Sequence, residues 1–157
     1  MTTDISDIYR NDLRFLLGLK AAVGILNNRI HDNLARVAIE HFKQKHLDLT
    51  FTYTNAGAPG IDIRGIDSKG QLKVVAEVKT TLPDANGRIR GPQTNNIKKD
   101  LERLRDQDGV DARYLVLLSS STKVAVQRQL QTQTDFPMVE ILNALDESLS
   151  AVEIDEE

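Results

Sequence analysis

The first third of the chain carries apolar side chains at alternating spacings of three and four residues, which place them on one face of a helix. This pattern predicts a helical segment over residues 4–46. Gly18, Gly24 and the pair Asn27-Asn28 are weak helix formers, so one long rod and two helices with a break both remain open. We expect the stripe to pack partly on the protein's own sheet and partly on a second subunit. Its members are Leu16, Leu19, Val23, Leu26, Ile30, Leu34 and Val37.

After residue 46 the hydrophobic period changes to two, and β-branched and aromatic residues alternate with polar ones. This pattern predicts strands over residues 47–54, 61–66 and 72–81. A turn cluster over residues 55–60 separates the first two strands, and residues 67–70 (Asp-Ser-Lys-Gly) form a hairpin loop before the third. Three strands joined by short turns predict an antiparallel meander.

A second helix follows a polar loop over residues 83–95. Pro92 stands where a first helical residue is favoured, and we expect the helix to end near Gly109. The inward face of this helix consists of Ile97, Leu101 and Leu104.

The remaining chain predicts a strand, a helix and a last strand. Residues 114–118 form an uninterrupted apolar run, which is typical of a strand buried on both faces. Ser121 or Thr122 is expected to cap a helix that continues to about residue 132, and residues 138–142 predict the final strand. The element order predicts an α/β fold with a mixed central sheet flanked by helices.

Composition narrows the class of protein. A chain of 157 residues with 40% hydrophobic content supports a single domain with its own core. Cysteine is absent, which excludes disulfides, thiolate nucleophiles and cysteine-ligated metals. The chain shows neither a signal-peptide pattern nor an apolar run of the roughly 18 residues that a membrane span needs. We therefore expect a cytoplasmic protein without a membrane partner.

The charges are unevenly distributed along the chain. The formal net charge is −3, but residues 144–157 contain six acidic residues and no lysine or arginine. Without those six, 17 acids face 20 basic residues, so residues 1–143 carry about +3. We predict one domain over 1–143, with residues 1–29 as a helical arm suited to dimerisation. Residues 144–157 are predicted to be an acidic tail, which either improves solubility or regulates the domain.

Three charged residues stand out within the predicted meander. Side chains alternate along a strand, so Glu77 and Lys79 point to one face of the sheet while Ala76 and Val78 point to the other. Asp62 lies one hairpin upstream, where it can reach the same place. Charges among apolar neighbours are costly unless they pair or bind a metal. An exposed Glu77–Lys79 ion pair with Asp62 in a turn is the alternative.

These residues resemble the PD-(D/E)XK nuclease superfamily, whose signature is a proline and an aspartate, a hairpin, and then Asp/Glu-x-Lys. Asp62 matches the aspartate, with Pro59 three residues before it, and Glu77-Val78-Lys79 matches the second half. Some of these families also place a glutamate on the helix before the strands and a glutamine on the helix after them. Glu40 and Gln93 occupy those two places here.

The resemblance implies a restriction-endonuclease-like αβββαβ core over about residues 30–120 and a Mg²⁺ cofactor, for which Mn²⁺ substitutes. Asp62, Glu77 and the Val78 carbonyl would hold the ion, which takes oxygen ligands. The ion would polarise the scissile phosphate and acidify a water, while Lys79 would orient that water and offset developing charge. No nucleotide cofactor is implied.

The same resemblance gives roles to the two helical residues. Glu40 would hold a water outside the metal or help to seat a second ion, and Gln93 would support the site from the start of its helix. For both residues the alternative is an ordinary exposed position on a helix.

Basic residues near this site are candidate contacts for the DNA backbone. Arg88 and Arg90 lie in a loop beside it, and Lys98 and Lys99 lie on the following helix. Because acids are interspersed on that helix, we favour the loop arginines as contacts and interpret the helix as a solvated face. The three histidines of the first helix lack the spacing of zinc ligands, which favours ordinary surface or core positions.

The residues together with the resemblance predict a Mg²⁺-dependent endodeoxyribonuclease that acts as a homodimer and associates with the nucleoid when active. By the resemblance, it would leave a 5′-phosphate. Restriction-type cleavage and Holliday-junction resolution both remain open. The alternative is a noncatalytic DNA-binding or assembly module that retains the fold.

Overall fold

The computed structural model describes the backbone from Ile5 to Leu145 and the side chains from Phe15 to Ala144. The predicted acidic tail therefore lies almost entirely outside the described residues. The elements in chain order are α1 (Ile5–Lys45), β1 (Thr50–Tyr53), β2 (Ile63–Ile66), β3 (Leu72–Lys79), α2 (Gly91–Arg105), β4 (Ala112–Ser119), α3 (Ser120–Leu130), α4 (Thr132–Asp135) and β5 (Val139–Leu145).

Helix α1 is a single rod of 41 residues, so the chain takes the unbroken one of the two predicted forms. Gly18 and Gly24 lie inside the rod, where each weakens the helix by about 1 kcal/mol relative to alanine without ending it. Among the described side chains of α1, those that pack on the sheet lie in its C-terminal part, and residues 15–29 are exposed. Among the described helices, none combines the length and apolar character that crossing a membrane requires.

The sheet has five strands in the order β1-β2-β3-β4-β5. The first three strands are antiparallel neighbours, while β4 pairs in parallel with both β3 and β5. This arrangement confirms the predicted α/β fold with a mixed sheet flanked by helices. Strand β5 continues to Leu145, so the predicted domain boundary at residue 143 falls inside a strand.

Helices cover the two faces of the sheet and divide the core into two layers. Alternate residues of the central strands supply each layer: Val74, Ala76 and Val78 pack with α1, whereas Val75 packs with α2 and α3. The alternation sends Glu77 and Lys79 to the same face, as the sequence predicts, and the structure shows that α2 covers this face.

The start of α3 differs from the prediction. Ser119, the last residue of β4, is the N-cap, and its hydroxyl accepts a hydrogen bond from the Thr122 amide at 3.3 Å. The predicted caps, Ser121 and Thr122, lie inside the first turn. The strand passes directly into the helix, so no loop residue is left between them to act as the cap.

Candidate functional site

Asp62 and Glu77 lie side by side at the end of the β2–β3 hairpin. Ile63 pairs with Ala76, so Asp62 and Glu77 occupy the next positions on the two neighbouring chains. Asp62 Oδ2 accepts a hydrogen bond from the Val78 amide at 2.8 Å, and the Asp62 carboxyl group also bonds to that of Glu77. The structure therefore brings together the two acids that the sequence singled out.

The backbone fixes Asp62 from the β1 side as well. The Thr54 amide donates to the Asp62 carbonyl at 2.7 Å. This bond continues the β1–β2 pairing past the last residue of β1 to the residue just before β2. Gly60 has a φ of 112°, a conformation that favours glycine, and lets the chain turn into this position. The Asp62 carboxylate accepts a hydrogen bond from the Val78 N–H, a group of β3 that has no β2 backbone carbonyl opposite it. The side chain therefore stands in for a backbone partner in the sheet.

Glu77 is almost completely buried, with 1% of its surface exposed. Burial, followed by the hydrogen bond and charge of Asp62, raises the pKa of Glu77 to about 8, and Asp100 adds to this while Arg103 opposes it. Burial also acts to raise the pKa of Asp62, but the close contact with His31 and the hydrogen bond from the Val78 amide outweigh it and lower that pKa. At neutral pH the pair therefore carries one proton, which resides on Glu77.

Lys79 contacts an acid from α2. Its Nζ lies 2.7 Å from Oδ2 of Asp100, which is 5% exposed. Although the distance is short, Oδ2 lacks a donor with hydrogen-bond geometry, so we treat the contact as an ion pair rather than a directed hydrogen bond.

Arg103 joins the acids of β3 and α2. Its Nη1 lies 2.9 Å from Glu77 Oε1, and its Nη2 lies 3.3 Å from Asp100 Oδ1. Nη1 also lies 3.4 Å from the carbonyl oxygen of Gly60. The guanidinium thus bridges the buried carboxyl groups while remaining partly exposed to solvent.

Helix α1 contributes His31 and Asp32 from the opposite face of the sheet. His31 Nε2 lies 3.6 Å from Asp62 Oδ2, and its Nδ1 lies 3.5 Å from Asp32 Oδ1. The hydrogen bond to Asp62 is the largest cause that raises the pKa of His31, although burial acts against it. Asp32 also accepts from the Ala56 amide at 3.2 Å, which ties the turn before Asp62 to α1.

Glu40 and Gln93 are not brought to the carboxyl pair. Glu40 lies nine residues after His31, or roughly 14 Å along the helix axis, and its exposed carboxylate pairs with Lys43 at 2.7 Å. Gln93 is exposed two turns before Asp100 on the same face of α2. A role for Gln93 at the site stays a prediction.

The predicted DNA contacts are exposed. Arg88 and Arg90 flank the buried Ile89, whose amide donates to Gln129 Oε1 at 2.8 Å. Asp84 accepts from the Arg88 amide at 3.0 Å and closes the turn before it, so this loop holds both arginines on a fixed backbone. The lysines of α2, also exposed, differ in direction: Lys98 lines a shallow pocket beside α3, while Lys99 precedes Arg103 by one turn.

Four residues of the site are not predicted from the sequence: His31, Asp32, Asp100 and Arg103. The charges on α2 favour a solvated face, but Asp100 follows Ile97 by three residues and so falls among the buried positions of that helix. His31 precedes Ala35 by four residues, at the start of the stripe that packs on the sheet. A charged or polar residue in phase with an apolar stripe is the signal that identifies both His31 and Asp100.

The donor set suits a hard divalent cation. Mg²⁺ retains several waters and usually takes one or two carboxylates from the protein, which matches Asp62 and Glu77. Among the described residues, no group of three or more His, Cys, Asp or Glu side chains is arranged to hold a metal. Release of the Glu77 proton would leave two adjacent carboxylates, whose oxygens could then hold a cation.

No protein-family model, curated protein or solved structure matches this chain significantly.

The Glu77 pKa predicts how stability changes with pH. Between 4.5 and about 8, Glu77 is protonated in the folded protein and ionised in the unfolded chain. The folded state then binds more protons, so the free energy of unfolding falls as pH rises, by at most about 1.4 kcal/mol per pH unit. The raised pKa of His31 acts in the same direction. Urea denaturation of Glu77→Gln across this range should give a shallower decline, because glutamine resembles the protonated acid.

Glu40→Gln is the matched control for that experiment. It removes an exposed carboxylate, and we expect it to leave the wild-type slope unchanged. An identical slope for wild type and Glu77→Gln would contradict the assigned proton.

We predict that removal of the Asp100 carboxylate causes a large loss in the free energy of unfolding. Asp100→Ala leaves Lys79 and Arg103 without their partly buried partner, which should lower the free energy of unfolding by about 3 kcal/mol. Asp106→Ala removes only an exposed pair with Arg105 and should cost less than about 1 kcal/mol. Equal losses in urea denaturation would show that Asp100 has no special role in the cluster.

Proposed function

We propose that this protein is a Mg²⁺-dependent endodeoxyribonuclease with a restriction-endonuclease-like fold. The observation that supports the proposal most is the contact between Asp62 and the buried Glu77, with Lys79 on the same face of the same strand as Glu77. The mixed sheet, with an antiparallel meander followed by a helical crossover into a parallel strand, agrees with the αβββαβ core that the resemblance implies.

Asp62 and Glu77 would hold the cation, with the Val78 carbonyl as a third oxygen ligand. When bound, the cation would polarise a phosphodiester and lower the pKa of a water, and Mn²⁺ would substitute for Mg²⁺. Asp62 is held for this task by the Val78 amide, and Glu77 is held between Asp62 and Arg103. Both acids are therefore positioned before any ligand arrives.

Lys79 would orient the attacking water and offset charge that develops on the phosphate. Its ammonium is a compact charge that lies 2.7 Å from Asp100 Oδ2. This contact holds the ammonium on the face of β3 that also carries Glu77. Asp100 is thus a positioning residue for Lys79. Arg103 is the nearest guanidinium to the pair, and its exposure lets it reach a phosphate oxygen once it leaves Glu77.

Arg88, Arg90 and Lys99 would contact the DNA backbone beside this site. The bonds from Ile89 to Gln129 and from Arg88 to Asp84 keep the loop fixed, so the arginines are presented with little ordering cost. Lys98 faces α3 and is the weakest of the predicted contacts.

Nicking of supercoiled plasmid tests the activity. Wild type should relax plasmid with Mg²⁺ or Mn²⁺, and Lys79→Ala should slow this about 10²–10³-fold because it removes one charge from the transition state. Asp62→Asn should abolish it, while Lys43→Ala, an exposed lysine on α1, should match wild type. Circular dichroism confirms that each variant folds.

The substrate form separates the biological roles. Sequence-dependent linear products indicate a restriction-type enzyme, and symmetric nicks in a four-way junction indicate a resolvase. Inert wild type on duplex, branched and single-stranded DNA would favour the noncatalytic binding module instead. Variants that cut as well as wild type would place the activity elsewhere.

We predict that the Arg103 guanidinium and the cation compete for the Glu77 carboxylate. Both need Glu77, so Arg103→Ala should bind Mg²⁺ several-fold more tightly in calorimetric titration, because an opposing positive charge is removed. Because Arg103 also holds the Glu77 pKa down, the titration is made well above pH 8, where Glu77 has released its proton in both wild type and variant. Arg105→Ala, which loses only a surface pair, is the control. Weaker binding by Arg103→Ala would refute the competition.

A further inference from the structure

The exposed part of α1 carries a seam with a repeat of seven residues. Its positions alternate in steps of three and four from residue 16 to residue 37, over about 32 Å of helix. The six apolar members are exposed or half-exposed, among them Leu26 at 57% and Val37 at 49%. The seam consists of Leu16, Leu19, Val23, Leu26, Ile30, Asn33 and Val37.

In a seven-residue repeat written abcdefg, the seam occupies positions a and d, and these two positions carry different residue types. The a positions are mostly β-branched, and the d positions are leucine except for one asparagine. This division favours two-stranded parallel coiled coils. Asn33, the polar member of the seam, avoids an unpaired buried amide when the same residue of the second helix faces it. The a positions are Leu16, Val23, Ile30 and Val37, and the d positions are Leu19, Leu26 and Asn33.

The seam is separate from the face that α1 uses on its own sheet. Ala35, Ala38 and Phe42 are buried against the sheet, about 120° around the helix from the centre of the seam. The seam does not end where the sheet begins, because Val37 continues it into an apolar groove with Leu118 and Ala144. A helix that joins the seam would therefore also cover this groove.

From this pattern we propose that a second copy of the chain occupies the seam, forming a parallel two-stranded coiled coil of α1 helices with Asn33 opposite Asn33. The same seven positions would pair with themselves in register, as a twofold interface requires. The parallel arrangement places both sheet bodies at the same end of the coil. This proposal does not depend on nuclease activity.

Sedimentation equilibrium of the full chain tests the pairing. Wild type should have twice the chain mass of 17.5 kDa at tens of micromolar, and Leu26→Asp should have the mass of one chain. Ile25→Asp is the matched control, because Ile25 is 63% exposed next to Leu26 but lies outside the seam. A monomeric wild type, or dissociation by Ile25→Asp to the same extent, would overturn the proposal.

Cysteine crosslinking tests the direction of the pair, since the chain has no cysteine of its own. Leu16→Cys should form a disulfide-linked dimer on oxidation, because identical a positions face each other in a parallel coil. In an antiparallel pair, residue 16 would lie near the far end of its partner's seam and would not crosslink. A dimer that resists crosslinking at this position would rule out the parallel arrangement.

Discussion

The carboxyl groups of Asp62 and Glu77 meet in a place that water hardly reaches, and this contact determines the arrangement around it. Two adjacent carboxylates cannot both remain ionised there without compensation, so Glu77 keeps a proton, while Asp62 accepts a hydrogen bond from the Val78 amide and lies 3.6 Å from His31. Arg103 then bonds to Glu77. The surrounding charges are best understood as the support for one costly pair.

The position of this pair explains why both layers of helices contribute to it. Asp62 precedes the first residue of β2, so its carboxylate lies at the end of the sheet rather than within one face. His31 reaches it from α1 on one side, and Arg103 reaches Glu77 from α2 on the other. A site in the middle of the sheet would be open to only one of these helices.

The periodicity of the sequence predicts the strands and the placement of Asp62, Glu77 and Lys79 near one another, but not the residues that support them. The alternation along β3 was enough to place Glu77 and Lys79 on one face, because strand geometry leaves two choices only, but it could not say which helix covers that face. Composition alone does not identify Asp100, whereas its phase with Ile97 does. The phase of His31 with Ala35 marks it as facing inward, but its contact with Asp62 depends on where α1 crosses the sheet, which no local pattern contains.

Helix α1 links the carboxyl pair to the proposed subunit contact. His31 lies between Ile30 and Asn33 of the seam, but on the face that meets the sheet. One helical turn therefore presents a site residue on one side and core positions of the coil on the other. Residues 34–42 anchor α1 in the core, but His31 lies just before this anchor, so fraying of an unpaired arm would reach His31 first. The contacts of His31 with Asp62 and of Asp32 with the Ala56 amide oppose that fraying. Pairing of the arms would therefore strengthen the hold of α1 on the carboxyl pair.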